Sequence, residues 1–196
     1  APQQNWLVID LPGHGASQQV SLAPEEGFQS CCELIARCLT ALSIKQCHLV
    51  GYSLGGRIAL HFLHTYPERV IQLVLESAHP GLTLASEKAA RLRHDQEWAQ
   101  RFMTQPLPQV LQHWYQQTVF ADLSATSRQY LCQRRSDNLG PALAQMLLAT
   151  SLAKQADLQT VIREASCPIN YFCAEQDTKF SDIATRLKKS APLLNK

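Results

Sequence analysis

The 196-residue sequence lacks the features that mark membrane, secreted and nucleic-acid-binding chains. No stretch of about 18 apolar residues could span a bilayer, and the first residues show no positively charged segment followed by an apolar run. No run of Lys and Arg exceeds two residues, and the formal net charge is only +2. We therefore expect a cytoplasmic protein that binds neither membrane nor nucleic acid.

The seven cysteines form no C-x-x-C pair and are odd in number, so a disulfide framework is not indicated. Their scatter through apolar patterns favours reduced, mostly buried thiols. A metal site is equally weak, because His61 and His64 are spaced i, i+3 without a third ligand beside them. We expect no metal and no cofactor.

Apolar periodicity predicts alternating strands and helices, and this alternation implies an α/β fold with a parallel sheet. Between 83 and 164 only helical patterns occur, which suggests a helical cap inserted between two strands. We therefore predict a core of residues 1–82 and 165–196 and a cap of residues 83–164. The core elements are strands at 6–9, 47–53, 70–77 and 169–173, and helices at 28–42, 54–67 and from a Ser181 cap onward.

The stretch GYSLG, residues 51–55, is typical of a serine held at a strand-to-helix turn, here called the elbow. Flanking glycines relieve crowding at such a bend, so that the Ser53 hydroxyl projects above the sheet. That hydroxyl is a weak base or nucleophile without an imidazole to take its proton. Asp177, just past a predicted strand, could orient the imidazole, although an aspartate there is also typical of a turn or helix cap.

All seven histidines precede Asp177 in the sequence. In α/β-hydrolase sheets, where a serine of this kind occurs, the catalytic histidine follows the catalytic aspartate in the chain. His79, which follows the third predicted strand, is the nearest substitute, and we assign it a structural or substrate-contacting role. His14 is expected to order its own glycine-rich loop. No histidine in the sequence fills the position of the base.

Arginines and aromatic residues form a second group of candidates. Arg57 lies one turn beyond the elbow, where its planar fork could hold a carboxylate. For the arginines of the predicted cap, including Arg91 and Arg135, a solvated helix face is the more common role. The crowded aromatics around Trp114 could wall a cavity, and packing within the protein explains them nearly as well.

Seven stretches together resemble a known family, namely IDLPGHG at 9–15, VGYSLGGR at 50–57, HPGL at 79–82, RLRHDQEWAQRF at 91–102, WYQQTVFA at 114–121, RRSDNLG at 134–140 and CAEQDTKF at 173–180. They are similar to the α/β-hydrolase-fold enzymes of menaquinone biosynthesis, the 2-succinyl-6-hydroxy-2,4-cyclohexadiene-1-carboxylate synthases (MenH). The elbow alone would indicate only the superfamily. The resemblance covers nearly the whole chain and implies an α/β-hydrolase fold with an inserted all-helical cap.

The resemblance implies a lyase of menaquinone (vitamin K2) biosynthesis. It would eliminate pyruvate from 2-succinyl-5-enolpyruvyl-6-hydroxy-3-cyclohexene-1-carboxylate, with Ser53 acting as base through a histidine that Asp177 orients. The Leu54 N–H would stabilise the developing anion. A monomer with a polycarboxylate substrate is implied, and the residues matching substrate-binding positions are Tyr52, Arg57, Arg91, Trp114 and Arg135.

Two segments of the family pattern have no counterpart in this sequence: the upstream His-Gly loop of the oxyanion hole and the C-terminal loop bearing the triad histidine. We expect a chain truncated at both ends, and a 1–196 polypeptide alone would then have negligible activity. Two alternatives stay open at this point. One is an ester or thioester hydrolase on the same fold, and the other is a non-catalytic, hydrolase-like binding protein in which Ser53 and Asp177 are relics.

Overall fold

The computed structural model describes residues 5–196, which form two compact units. The sheet unit comprises residues 25–93 and 149–196, and the helical unit comprises residues 5–24 and 94–148. Residues 83–164, predicted as a cap, contain no strand and divide between the two units. Within residues 5–196, no helix combines the length and the apolar character that crossing a bilayer requires.

The sheet unit is built on four parallel strands in the order β1-β2-β3-β4. This confirms the predicted parallel α/β architecture. Because the strands are parallel, the loops that follow them all leave from one edge of the sheet, here called the carboxyl edge. The strands are β1 (Cys47–Tyr52), β2 (Val70–Glu76), β3 (Ile169–Phe172) and β4 (Leu194–Asn195).

Helices bury the apolar side chains of this sheet. The central strands β2 and β3 contribute fully buried Leu73, Leu75 and Ile169 to a core that also takes in Phe62 of α2 and Ile183 of α8. The bounds predicted for the helices at 28–42 and 54–67 agree with the observed ones to within a residue or two. The helices of this unit are α1 (Gly27–Ala41), α2 (Leu54–Thr65), most of the first half of α3 (Ala85–Thr104), α7 (Gln159–Arg163) and α8 (Thr178–Lys188).

The helical unit has its own aromatic core. Trp98 and Phe102 of α3 pack with Val110 and Tyr115, and Ala144 of α6 completes the buried cluster. The other helices are α4 (Leu107–Trp114), α5 (Ala125–Arg135) and α6 (Gly140–Ala149), the last of which ends at the first residue of the sheet unit.

Two predicted elements are wrong. Residues 6–9 form no strand, and Trp6 and Val8 are 73% and 86% exposed. A strand needs a neighbouring strand to bond with, and the described part of the helical unit contains no strand. Ser181 does not cap α8, since the carboxylate of Asp177 accepts a hydrogen bond from the Phe180 N–H at 3.1 Å and starts the helix a turn earlier.

The seven cysteines are unpaired, and each is buried or half-buried.

Candidate active site at the carboxyl edge of the sheet

Ser53 occupies a strained turn between β1 and α2. Its φ of +47° and ψ of −109° are unfavourable for a residue with a Cβ. Its N–H donates to the Glu76 carbonyl at 2.8 Å, and its own carbonyl accepts from the Arg57 N–H at 3.0 Å. These bonds tie the turn to both β2 and α2, so the exposed serine hydroxyl leaves the carboxyl edge in one direction.

Two glycines permit this turn by close backbone approach. A Cβ on Gly51 would lie 2.6 Å from the Gly55 carbonyl carbon, and one on Gly56 would lie 2.5 Å from the Ala78 Cβ. A Cβ on Gly55 would meet no atom of the described residues within 4 Å. The prediction that glycines relieve crowding is therefore confirmed for Gly51 but not for Gly55, and Gly56 supplies the second close contact.

Leu54 opens α2 immediately after the serine. Amides of a first helical turn have no intrahelical acceptor, and the helix dipole adds partial positive charge there. The Leu54 N–H is thus a donor of the kind that stabilises an oxyanion beside the Ser53 hydroxyl. Tyr52, the last residue of β1, is 62% exposed at the same edge.

Asp177 leaves the same edge five residues beyond the end of β3 and is half-buried. Two strand spacings of about 4.8 Å each separate β1 from β3, which puts the strand ends about 10 Å apart. An imidazole with a hydrogen bond on either side spans about 8 Å between the outer atoms. Ser53 and Asp177 thus follow strands whose ends lie on the scale that a bridging histidine spans, and one carboxylate oxygen of Asp177 is engaged as a helix cap.

His79 lies in the loop that follows β2, between the strands that carry Ser53 and Asp177. The Gly81 N–H donates to its Nδ1 at 3.1 Å. Because an N–H can only donate, Nδ1 carries no proton and the neutral ring holds its proton on Nε2. In this state His79 presents a donor at Nε2, so it cannot take a proton from a serine hydroxyl there.

Burial, and to a smaller extent the charge of nearby cations, lower the pKa of His79 to about 4. These cations come from α2, α3 and α8, and none of them lies on the loop of His79 itself. Their combined field makes the carboxyl edge favourable for anions. In decreasing order of effect, they are Lys179, Arg57, Arg186 and Arg91.

The other histidines have structural surroundings. His61 stacks on Phe28, with ring centroids 4.2 Å apart, and burial lowers its pKa to about 4. His14 donates from Nδ1 to the Pro12 carbonyl at 3.1 Å, which confirms its predicted part in ordering the loop. Within residues 5–196, no group of three or more His, Cys, Asp or Glu side chains could hold a metal ion.

Arg57 is held at the carboxyl edge by contacts within the sheet unit. Its Nη1 donates to the Thr150 carbonyl at 2.8 Å and to Gln155 Oε1 at 3.4 Å, and its guanidinium carbon lies 5.5 Å from the centre of the Phe28 ring. Gln155, which is 1% exposed, was not singled out by sequence reasoning. A lone glutamine in an interhelical segment carries no pattern that could have revealed it.

Two predicted site residues belong to the helical unit. Trp114 packs edge-on against Trp98 at 5.0 Å within the aromatic core. Arg135 donates to the hydroxyl of buried Tyr115, and its guanidinium carbon lies 5.6 Å from that ring centre. The structure thus brings Ser53, Asp177 and Arg57 to one edge of the sheet unit, while these two side chains are explained by packing within their own unit.

The chain is similar to known proteins over most of its length. The alpha/beta hydrolase fold family matches residues 1–192. The 2-succinyl-6-hydroxy-2,4-cyclohexadiene-1-carboxylate synthase of Enterobacter sp. (strain 638) is 45% identical over 186 residues, which are 95% of this chain and 71% of that protein. The protein of the same name from Pectobacterium atrosepticum is 41% identical over 195 residues, 98% of this chain and 75% of the relative. The structure of MenH from S. aureus matches with a TM-score of 0.85 and 26% identity, covering 95% of this chain and 71% of that one.

Proposed function

The chain belongs to the alpha/beta hydrolase fold family, and within it to the 2-succinyl-6-hydroxy-2,4-cyclohexadiene-1-carboxylate synthases, and we propose that it is a carbon–oxygen lyase of menaquinone biosynthesis. The reaction would remove pyruvate from 2-succinyl-5-enolpyruvyl-6-hydroxy-3-cyclohexene-1-carboxylate. The observation that carries this proposal is the elbow serine with Arg57 bonded to it, at an edge where cations from three helices act on His79, which suits a polycarboxylate better than a neutral ester.

Ser53 acts in this proposal as a general base toward a carbon-bound proton. The electron pair of the C–H bond at ring carbon 2 forms a double bond to carbon 3, and the existing double bond shifts to carbons 4 and 5. The C–O bond at carbon 5 breaks, and the enolpyruvate that leaves takes up a proton to become pyruvate. Negative charge that develops in the transition state is stabilised by the Leu54 N–H at the start of α2. No acyl-enzyme forms, so the serine needs no attacking position on a carbonyl.

The base needs an imidazole between Ser53 and Asp177. His79 is held as a neutral donor by the Gly81 N–H, so we assign this role to a histidine that is not among the seven of residues 1–196. That histidine would be oriented by the oxygen of Asp177 that does not cap α8.

Substrate carboxylates are assigned to Arg57 and Arg91, whose charges both act on His79 at the carboxyl edge. Tyr52, Trp114 and Arg135 are proposed as further substrate contacts, with residues 83–164 as the cap. We also propose a cytoplasmic monomer that acts on this small molecule without a cofactor.

Pyruvate release from the substrate, measured with lactate dehydrogenase as the coupling enzyme, tests the proposal on the complete protein. The wild type should release one pyruvate per substrate molecule, and Ser53→Ala should lose several powers of ten in rate. Hydrolysis of a simple ester or thioester with no pyruvate release would favour the hydrolase alternative. Absence of both activities would favour a binding protein.

A further inference from the structure

The segment from residue 150 to residue 158 binds both Arg57 and the loop after β2. The Thr150 carbonyl accepts from Arg57 Nη1 at 2.8 Å, and the Leu158 N–H donates to the Pro80 carbonyl at 2.7 Å. A Cβ on Gly81, whose φ is +130°, would lie 2.4 Å from the Ala156 carbonyl oxygen. This segment, here called the brace, therefore packs tightly on the loop that carries His79.

Gln155 is the side chain through which the brace reaches both partners. Its Nε2 donates to the His79 carbonyl at 2.8 Å, and its Oε1 accepts from Arg57 Nη1 at 3.4 Å. The side chain is 1% exposed, so both ends of its amide are removed from bulk water. A buried amide without partners would be strongly unfavourable, which gives these two contacts control over the rotamer of Gln155.

The partners of Gln155 come from different parts of the carboxyl edge. Arg57 is one turn into α2, where its N–H also bonds to the Ser53 carbonyl at 3.0 Å. The His79 loop is fixed a second time by the Tyr171 hydroxyl, which donates to the Ala78 carbonyl at 2.8 Å. The amide of Gln155 thus links the guanidinium beside the elbow to a loop that β3 already holds.

We propose that Gln155 is a positioning residue that sets the orientation of the Arg57 guanidinium toward an anionic substrate. A guanidinium binds a carboxylate well only when its planar fork is aligned with the two oxygens. The Thr150 carbonyl fixes the direction of one Nη1–H bond, and the contact with Gln155 adds a restraint on rotation of the guanidinium about that hydrogen bond. This inference rests on the proposed function in that Arg57 contacts a substrate carboxylate.

The test uses Gln155→Leu and Gln155→Glu in the complete protein. The leucine removes both hydrogen bonds. The glutamate keeps an acceptor for Arg57 but neutralises the positive charge of the guanidinium, and it loses the donor to the His79 carbonyl. We expect each variant to raise KM for pyruvate release about tenfold or more, with kcat within about threefold of wild type. Binding of succinate, measured by calorimetry, should weaken by a similar factor.

The matched control is Gln145→Leu, which also removes an amide donor to a carbonyl, that of Leu22 at 3.1 Å, but lies in the helical unit. It should leave KM and succinate binding within about twofold of wild type. An unchanged KM and succinate affinity in a folded Gln155→Leu variant would overturn the inference. Equal losses in the control would overturn it too, because they would show a general effect of a lost hydrogen bond.

A double-variant cycle separates positioning from a structural role even where stability falls. If Gln155 acts through Arg57, combining Gln155→Leu with Arg57→Ala should raise KM no further than Arg57→Ala alone. Independent, multiplying effects would contradict the inference. A wild type that binds succinate but releases no pyruvate would refute the proposed function, while the succinate affinities of the variants would still decide the role of Gln155.

Discussion

Adjacent glycines in the first turn of α2 provide a matched pair for testing the packing of the elbow. In Gly56→Ala, the new Cβ would lie 2.5 Å from the Ala78 Cβ and 2.8 Å from the Gly51 carbonyl oxygen. Carbon atoms pack at about 3.5–4.0 Å, so β1 and the loop after β2 must move by about 1 Å. In Gly55→Ala, the new Cβ meets no described atom within 4 Å.

The expected change in the free energy of unfolding differs in sign between the two variants. Overpacking should destabilise Gly56→Ala by about 1–3 kcal/mol. Gly55→Ala relieves only the poor helix propensity of glycine and should lie between neutral and about 1 kcal/mol more stable than wild type.

Urea unfolding followed by circular dichroism gives both values from the midpoint and slope. A displacement of about 1 Å at the elbow should also slow Gly56→Ala by about a hundredfold in pyruvate release. Equal stability of the two variants would refute the account of the elbow. So would a Gly55→Ala variant that is the less stable of the pair.

Three further outcomes follow from strain, burial and charge. Ser53→Gly should raise the free energy of unfolding by about 1 kcal/mol by relieving the positive φ, whereas Ser53→Ala should not; a gain in both would contradict stored strain. The folded-state pKa of His61 is about 4 against 6.5 unfolded, so the unfolded chain binds the extra proton and stability falls as pH drops from 6.5 to 4. His61→Phe keeps the stack on Phe28 and should flatten that loss in urea melts between pH 7 and 4.5; an unchanged slope would be evidence against burial of a neutral ring. Arg91→Ala should raise KM for pyruvate release about tenfold or more, and the exposed neighbour Arg93 should tolerate the same change within about twofold; equal effects would argue against a carboxylate contact at Arg91.

Elements with a clear apolar period could be predicted from the sequence nearly to the residue. The helix expected at 28–42 occupies Gly27–Ala41, and the β1-α2-β2 series follows the predicted order. The segment at 6–9 has an equally apolar pattern, but a strand exists only where another backbone pairs with it. The two-residue β4 is too short to show any period.

The candidate site was predictable only in part, for a similar reason. Ser53 and Asp177 follow strands that apolar periodicity locates, so their shared edge could be inferred before the structure. The protonation of His79 depends on the Gly81 amide, and the hold on Arg57 depends on Gln155, 98 residues away in the chain. Contacts of that range are set by tertiary packing and leave no mark on local sequence.

The central claim is that Ser53 removes a proton and pyruvate leaves without an acyl-enzyme. Single-turnover measurement of pyruvate release from 2-succinyl-5-enolpyruvyl-6-hydroxy-3-cyclohexene-1-carboxylate by the complete protein tests it most directly. The account predicts stoichiometric pyruvate from the wild type, with no covalent adduct on Ser53 by intact mass spectrometry and a loss of several powers of ten in Ser53→Ala. Pyruvate release that survives Ser53→Ala, or an acyl adduct on Ser53 during turnover, would contradict it.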